Sequence, residues 1–268
     1  MKKLETSKDY HLNPAIGSTL LKKITSKTLF HALNEEIEQT SAMVLGSAFH
    51  CSILEPEKFN SEYVTVPEGT DKRTKAGKDI WAEIEASGKT VLRNEEMANI
   101  IGMKTSILSH PIAKKMLQGG EAEYSYYSKD TETGIETKCR PDYKNGGTLI
   151  DIKTAQDASY EGFSRAIVNL GYLVQAAYYL DVFNASEGEN YKDFHFIVVE
   201  NKAPFAVAIY RLDEAQIEFG RKQYKKALKK YSDFLALDLK KVPMSFGYAM
   251  DIVDIQIPYY MLDKIENS

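Results

Sequence analysis

Two aspartates and a lysine stand within twelve residues in the stretch RPDYKNGGTLIDIKT: Asp142, Asp151 and Lys153. Lys153 follows Asp151 by two positions, so on a strand both side chains leave the same face. A hairpin of this length brings Asp142 beside Asp151, and two carboxylates and an ammonium then share one pocket. Adjacent carboxylates repel unless a cation or a proton intervenes. Oxygen ligands suit a hard ion, Mg²⁺ with Mn²⁺ able to substitute. Such an ion polarises a phosphoryl oxygen and lowers the pKa of water. The lysine stabilises charge developing on a phosphate, or orients the attacking water. These parts suit phosphodiester hydrolysis. A D-x-K tripeptide is also common on exposed hairpins as a plain salt bridge, so it does not separate the two readings by itself.

The elements that must position this set follow from periodicity and turn residues. Residues 122–128, 135–142 and 148–154 read as three strands of an antiparallel meander, with turns at DTETG and KNGG. Helical spacing covers 17–33, with Ser18 as N-cap, and 41–54, followed by a polar loop over 55–78. Further helices are expected at 73–87, 94–108 and 111–117, the last opened by Pro111. Beyond the meander come a helix over 159–182, strands at 194–200 and 205–212, and a long helix over 213–238. The sum is an α/β (α+β) fold with a mixed central sheet flanked by helices. We expect one domain over 1–268: a mainly helical part (1–118), a catalytic core (119–212) and a C-terminal helix and tail (213–268).

The 268 residues carry a formal charge of −4, so any grip on nucleic acid must come from local basic patches. Cys51 and Cys139 are the two cysteines and form no C-x-x-C pair, which argues against a thiolate metal site and for reduced, partly buried thiols. No apolar run approaches a membrane span, and the opening MKKLETSKDYHLNP lacks the apolar segment of a signal peptide, so a cytoplasmic protein with no membrane partner is expected.

The motif set resembles the PD-(D/E)XK nuclease superfamily, with Pro141-Asp142 as the PD element and Asp151-Ile152-Lys153 as D-x-K. The resemblance implies that Asp142, Asp151 and the Ile152 carbonyl bind metal and that Lys153 assists hydrolysis. Gln175 and Tyr179 form the Q-x-x-x-Y pattern of RecB-like branches, one helical turn apart on one face. There it supports the geometry of the site. Gly46 and His50 form G-x-x-x-H, whose histidine is a further metal ligand in those branches, and Glu123 matches a glutamate that precedes the catalytic hairpin. Each of these residues alone is more often an ordinary helix or strand residue; their shared order carries the resemblance. Within the branch the chain is most similar to RecE-type exonucleases over YHLNPAIGSTLLKKITSKTLFHAL, LGSAFHCSILEPEKF and the core. Asp151 stands where many superfamily members have Glu, as is common in the RecE-like branch.

The resemblance implies Mg²⁺-dependent 5′→3′ digestion of one strand at double-stranded DNA ends, leaving a 3′ tail, with one or two ions per site. It also implies a RecT-like single-strand annealing partner, a homo-oligomeric ring, and a phage or prophage origin in a bacterial cell. An endonuclease or structure-selective nuclease on the same core is the alternative; a catalytically inactive DNA-binding protein is the alternative of another class. The first two differ in whether closed circles are cut. The last predicts a missing catalytic residue, and none is missing. Candidate DNA contacts are Arg140 beside the PD element, Ser18 at a helix start, Lys72, Arg73, Lys75 and Lys78 near the polar loop, and a basic helix face at Lys222, Lys225, Lys226, Lys229 and Lys230. The last is equally a solvated face opposite the stripe Ile217, Tyr224, Leu228, Tyr231 and Leu235.

Overall fold

Caps and glycines in the sequence set most element boundaries. The computed structural model describes residues 1–35, 38, 40–237, 247–248 and 251–266. In chain order the elements are β1 (Lys2–Lys3), α1 (Ser7–Leu12), α2 (Ser18–Ser26), α3 (Leu29–Asn34), α4 (Ser41–Leu54), α5 (Pro56–Glu62), β2 (Tyr63–Thr65), α6 (Lys75–Ser87), β3 (Thr90–Leu92), α7 (Asn94–Ser109) and α8 (Pro111–Met116). There follow β4 (Glu121–Ala122), β5 (Ser125–Lys129), β6 (Glu136–Cys139), β7 (Tyr143–Asn145), β8 (Thr148–Ala155), α9 (Tyr160–Asn169), α10 (Tyr172–Glu187), β9 (Asp193–Glu200), β10 (Val207–Arg211), α11 (Glu214–Leu235) and α12 (Tyr259–Glu266).

The central sheet has five strands in the order β10-β9-β8-β7-β4. β8 and β9 pair in parallel, and the other neighbours are antiparallel. A parallel pair needs a crossover, and α9 and α10 provide it. Each face of the sheet carries its own core. Leu149, Phe194, Phe196 and Val198 pack with residues of α2, α3, α9, α10 and α11. Ile150, Ile152, Ile197 and Val199 pack with residues of α4, α7 and α8. A sheet covered on both sides needs strands apolar on both faces, and TLIDIKTA in β8 meets that condition, except where Asp151 and Lys153 interrupt one face. The expected α/β class with a mixed, helix-flanked sheet is the one observed.

The strand arrangement corrects the expected meander. β5 and β6 form a hairpin in a separate three-stranded sheet, β1-β5-β6, whereas β7 and β8 belong to the central sheet. The chain changes sheets at Arg140, Pro141 and Asp142. Pro141 has no N–H to donate to a ladder, so the strand expected over 135–142 ends before it. A matching change occurs between β4 and β5, where Glu123 lies at φ 57° and not inside a strand. The two breaks are joined: the Glu123 N–H donates to the Asp142 carbonyl at 3.1 Å.

Five expectations about helices are also corrected. Residues 17–33 make two helices, because the Thr28 side chain accepts the His31 N–H and caps α3. Gly17, not Ser18, is the N-cap of α2. The 55–78 loop contains α5, opened by Pro56 at its first position, and β2. The helix expected over 159–182 is bent by 70° at Gly171, whose φ of +67° ends one helix and starts the next. The long helix over 213–238 ends at Leu235, and residue 238 lies outside the described residues. Among the described residues no single helix is long and apolar enough to cross a membrane.

Candidate active site

Asp151 and Lys153 leave β8 on the face covered by α10. Asp151 is 1% exposed, and a carboxylate that deep is tolerated only when paired and hydrogen-bonded. Gln175 Nε2 on α10 donates to its Oδ1 at 2.5 Å. Lys153 Nζ lies 2.5 Å from its Oδ2, close but poorly directed for a hydrogen bond, so charge attraction holds that oxygen. Burial pushes the Asp151 pKa up, Lys153 opposes and Asp142 adds, for a net rise. Burial pulls Lys153 down, but Asp151 and then Asp142 outweigh it, so the ammonium stays charged.

Asp142 sits where the sheet edge opens. β7 begins at Tyr143, opposite Ile150, so that edge of β8 has no strand partner farther on. There the Ile152 N–H donates to Asp142 Oδ2 at 2.6 Å. In an extended strand the carbonyl of a residue leaves on the same edge as its N–H, so Ile152 C=O points to the same gap. From the opposite side α4 buries Ala48 and Phe49 in the core and leaves His50 at the rim. Its Nδ1 is 3.3 Å from Asp142 Oδ2. Glu123 completes the group, fixed by Arg140, whose Nε lies 3.0 Å from Glu123 Oε2 and donates to the Glu123 carbonyl at 2.9 Å.

One ligand atom each from His50, Glu123 and Asp142 lies within 4.8 Å of the others. Asp151 stands outside this group, its oxygens engaged by Gln175 and Lys153. The electrostatics of the three are those of a site short of positive charge. Glu123 is pushed up to about 7 by burial and by Asp142, with Arg140 and His50 opposing. Burial would raise Asp142 too, but His50 and Lys153 bring it below its ordinary value. Burial pulls His50 down, and Asp142 more than reverses this. Glu123 and His50 are thus both shifted toward keeping a proton, the direction expected where positive charge is wanting; the two carboxylates suit a hard cation, and the imidazole can add a nitrogen ligand.

His50, Glu123 and Lys153 line one open cavity of about 750 Å³. Lys22, Glu55 and Tyr172 also line it; sequence reasoning missed these three, and the signal available was that Lys22 lies one helical turn from Ser18 and Tyr172 about one turn from Gln175. Tyr179, a turn beyond Gln175, lies instead in a neighbouring cleft with Tyr10, Ser18 and Lys138. Ser18 is 5% exposed, so its side chain is not at an open helix mouth. Arg140 is 9% exposed and bonded to Glu123 and to the Glu5 carbonyl, so it shapes the site from behind. Of the proposed basic contacts, Arg73 pairs with Asp71, Lys225 with Glu132 and Lys229 with Asp233. Lys72 packs over the Trp81 ring at 3.3 Å, and Lys75 opens α6; none of the five lines the cavity. Cys51 and Cys139 are free and buried.

A mixed sheet with a carboxylate at its opened edge, an acid and lysine two residues apart on the next strand, and a glutamine helix behind them define a PD-(D/E)XK-type nuclease fold. The chain belongs to the family described as PDDEXK-like domain of unknown function (DUF3799), whose model matches residues 18–245. Among solved structures, a candidate exonuclease from Eubacterium rectale aligns at TM-score 0.63 and 13% identity, over 97% of this chain and 98% of that one. At that identity the likeness is one of fold. An alkaline exonuclease from Laribacter hongkongensis, LHK-Exo, aligns at TM-score 0.27 and 13% identity, over 70% of this chain and 95% of that one, too slight a likeness to carry argument. No curated protein sequence matches the chain.

Proposed function

We propose that the chain is a divalent-metal-dependent exodeoxyribonuclease acting at the ends of double-stranded DNA. The observation that carries the hydrolytic reading is the placement of His50, Glu123 and Asp142 within ligand distance of one another, with His50 and Glu123 lining the cavity that Lys153 also lines. Bound among those three donors, with Asp151 and the Ile152 carbonyl at hand, a Mg²⁺ or Mn²⁺ ion would supply the charge that polarises a phosphoryl oxygen and acidifies water. The protein's own groups do the rest. Lys153, kept charged by Asp151, neutralises charge that develops on the phosphate. Gln175 holds Asp151 so that this ammonium has one position. Arg140 holds Glu123 in its left-handed conformation, facing the cluster.

Preference for duplex ends rests on the RecE-type resemblance of the opening helix, the histidine helix and the core. The same reading includes 5′→3′ polarity with a 3′ tail, an annealing-protein partner and a ring of subunits. The test is digestion of a linear duplex labelled separately at each end, beside a closed circle, with Mg²⁺, with EDTA, and with Lys153→Ala protein confirmed folded. Loss of the 5′ label from the linear duplex alone, requiring both metal and lysine, is the expected result. Cutting of the circle would replace the exonuclease reading with an endonuclease one. Binding without cleavage of either would leave a DNA-binding protein on a nuclease fold.

A further inference from the structure

Among the described residues three lysines face the cavity: Lys22, Lys58 and Lys153. Two have carboxylate partners, Lys153 with Asp151 and Lys58 with Glu55. Lys22, on α2, has no carboxylate within ion-pair distance among the described residues. Its ammonium makes one long hydrogen bond, 3.4 Å, to Gln175 Oε1. An ammonium has three donors, so two are free to face the cavity. The fold makes room for this side chain. A Cβ at Gly171, where φ is +67°, would lie 3.0 to 3.4 Å from the Lys22 Cγ, Cδ and Cβ, so the bare backbone there spares the lysine stem from crowding. The Tyr172 ring then lies near both ammonium groups, 5.7 Å from Lys22 Nζ and 4.8 Å from Lys153 Nζ. Burial and then repulsion from Lys153 pull Lys22 down to about 8, with Asp151 opposing. A partly buried cation beside another cation, without a counter-ion of its own, is relieved by an anion that arrives from outside.

We infer that Lys22 binds a phosphate of the substrate strand next to the phosphate that Lys153 faces. The inference rests on the nuclease reading and assigns a substrate contact within it. The geometry also links the two lysines: Gln175 accepts from Lys22 through Oε1 and donates to Asp151 through Nε2. A phosphate on Lys22 thus bears on the same amide that fixes the partner of Lys153.

The test is duplex binding by fluorescence anisotropy across a salt series, with Ca²⁺ in place of Mg²⁺, for the wild type, Lys22→Gln and Lys22→Arg. Each lost phosphate contact lowers the slope of log affinity against log salt by about 0.9. The advantage of the wild type over Lys22→Gln should therefore shrink about 3.5-fold between roughly 50 and 200 mM salt, while Lys22→Arg keeps the wild-type slope. In Mg²⁺, Lys22→Gln should raise KM for DNA more than it lowers kcat. Duplexes with a 5′ phosphate and a 5′ hydroxyl separate the sources: loss on the phosphorylated end alone assigns a terminal phosphate, and equal loss on both assigns the backbone. An unchanged slope in folded Lys22→Gln, with wild-type cleavage intact, would overturn this inference and leave the nuclease reading standing. A reduced slope with no cleavage by the wild type would do the opposite. Absence of any DNA binding by the wild type would overturn both.

Discussion

Replacing Lys153 with Ala tests the electrostatic design of the site through stability as well as activity. The substitution removes the cation from a carboxylate that is 1% exposed and retains a single hydrogen bond, from Gln175. Breaking a buried pair by deleting one partner costs about 3–5 kcal/mol. An independent limit comes from protonation. Neutralising a carboxyl of ordinary pKa near ~3.9 at pH 7 costs about 4 kcal/mol, at 1.36 kcal/mol per unit, and the folded variant need not lose more than that. The two figures agree. The limit falls with acidity, to about 1.5 kcal/mol at pH 5. The sign follows from linkage: burial already raises the Asp151 pKa, and without Lys153 it rises further. The folded variant then binds a proton that the unfolded chain releases, so its stability declines as pH rises above the ordinary carboxylate range. Urea unfolding of the wild type and Lys153→Ala at pH 5, 6 and 7, without metal, should show the deficit growing with pH. The double variant Asp151→Asn/Lys153→Ala should remove most of the pH dependence of that deficit, leaving the part that Glu123 contributes to both proteins. A deficit below about 1 kcal/mol at pH 7, or one that does not change with pH, would refute the reasoning.

Three further outcomes are expected. Glu123, pushed up to about 7, must lose its proton to ligate a cation; its raised pKa also means that cation-free stability falls as pH climbs towards that value. Calorimetric titration with Mn²⁺ should therefore show affinity rising from pH 6 to pH 8 with proton release, and pH-independent binding would remove Glu123 from the ligand set. Gln175→Leu leaves the buried Asp151 Oδ1 without its donor, which costs about 1–3 kcal/mol and slows turnover; denaturant midpoints and single-turnover rates equal to the wild type would count against the positioning role. In Gly220→Ala the new Cβ would stand 2.1 Å from the Leu173 carbonyl oxygen, forcing α10 and α11 apart. Overpacking of this kind costs about 1–3 kcal/mol, a melting-temperature drop of roughly 5 °C for a chain of this size, measurable by scanning calorimetry.

The side chains of Asp151 and Lys153 share a face because they are two residues apart on a strand, and Gln175 and Tyr179 share one because they are four apart on a helix. These are properties of local geometry, so the sequence by itself determined them, along with the G-G turn between β7 and β8 and the mixed, helix-flanked sheet. Partners far apart in the chain were not legible in this way. That Asp142 and Glu123 lie at the two points where the chain passes between sheets depends on how β4 and β7 pair, and not on their own neighbours in sequence. Arg140, a candidate DNA contact by its place beside the PD element, is buried because Glu5 and Glu123 reach it from other segments. Tyr179 shares a helical face with Gln175, yet it lines a cleft with residues of α1 and α2 and not the cavity that Lys153 lines. Lys22 lines one cavity with Lys153 through the packing of α2 beside the bend at Gly171, whose bare backbone leaves the stem uncrowded. A lysine's type carries no mark of whether a carboxylate will meet it; the packing of separate elements decides that, and with it which cation is left for a substrate.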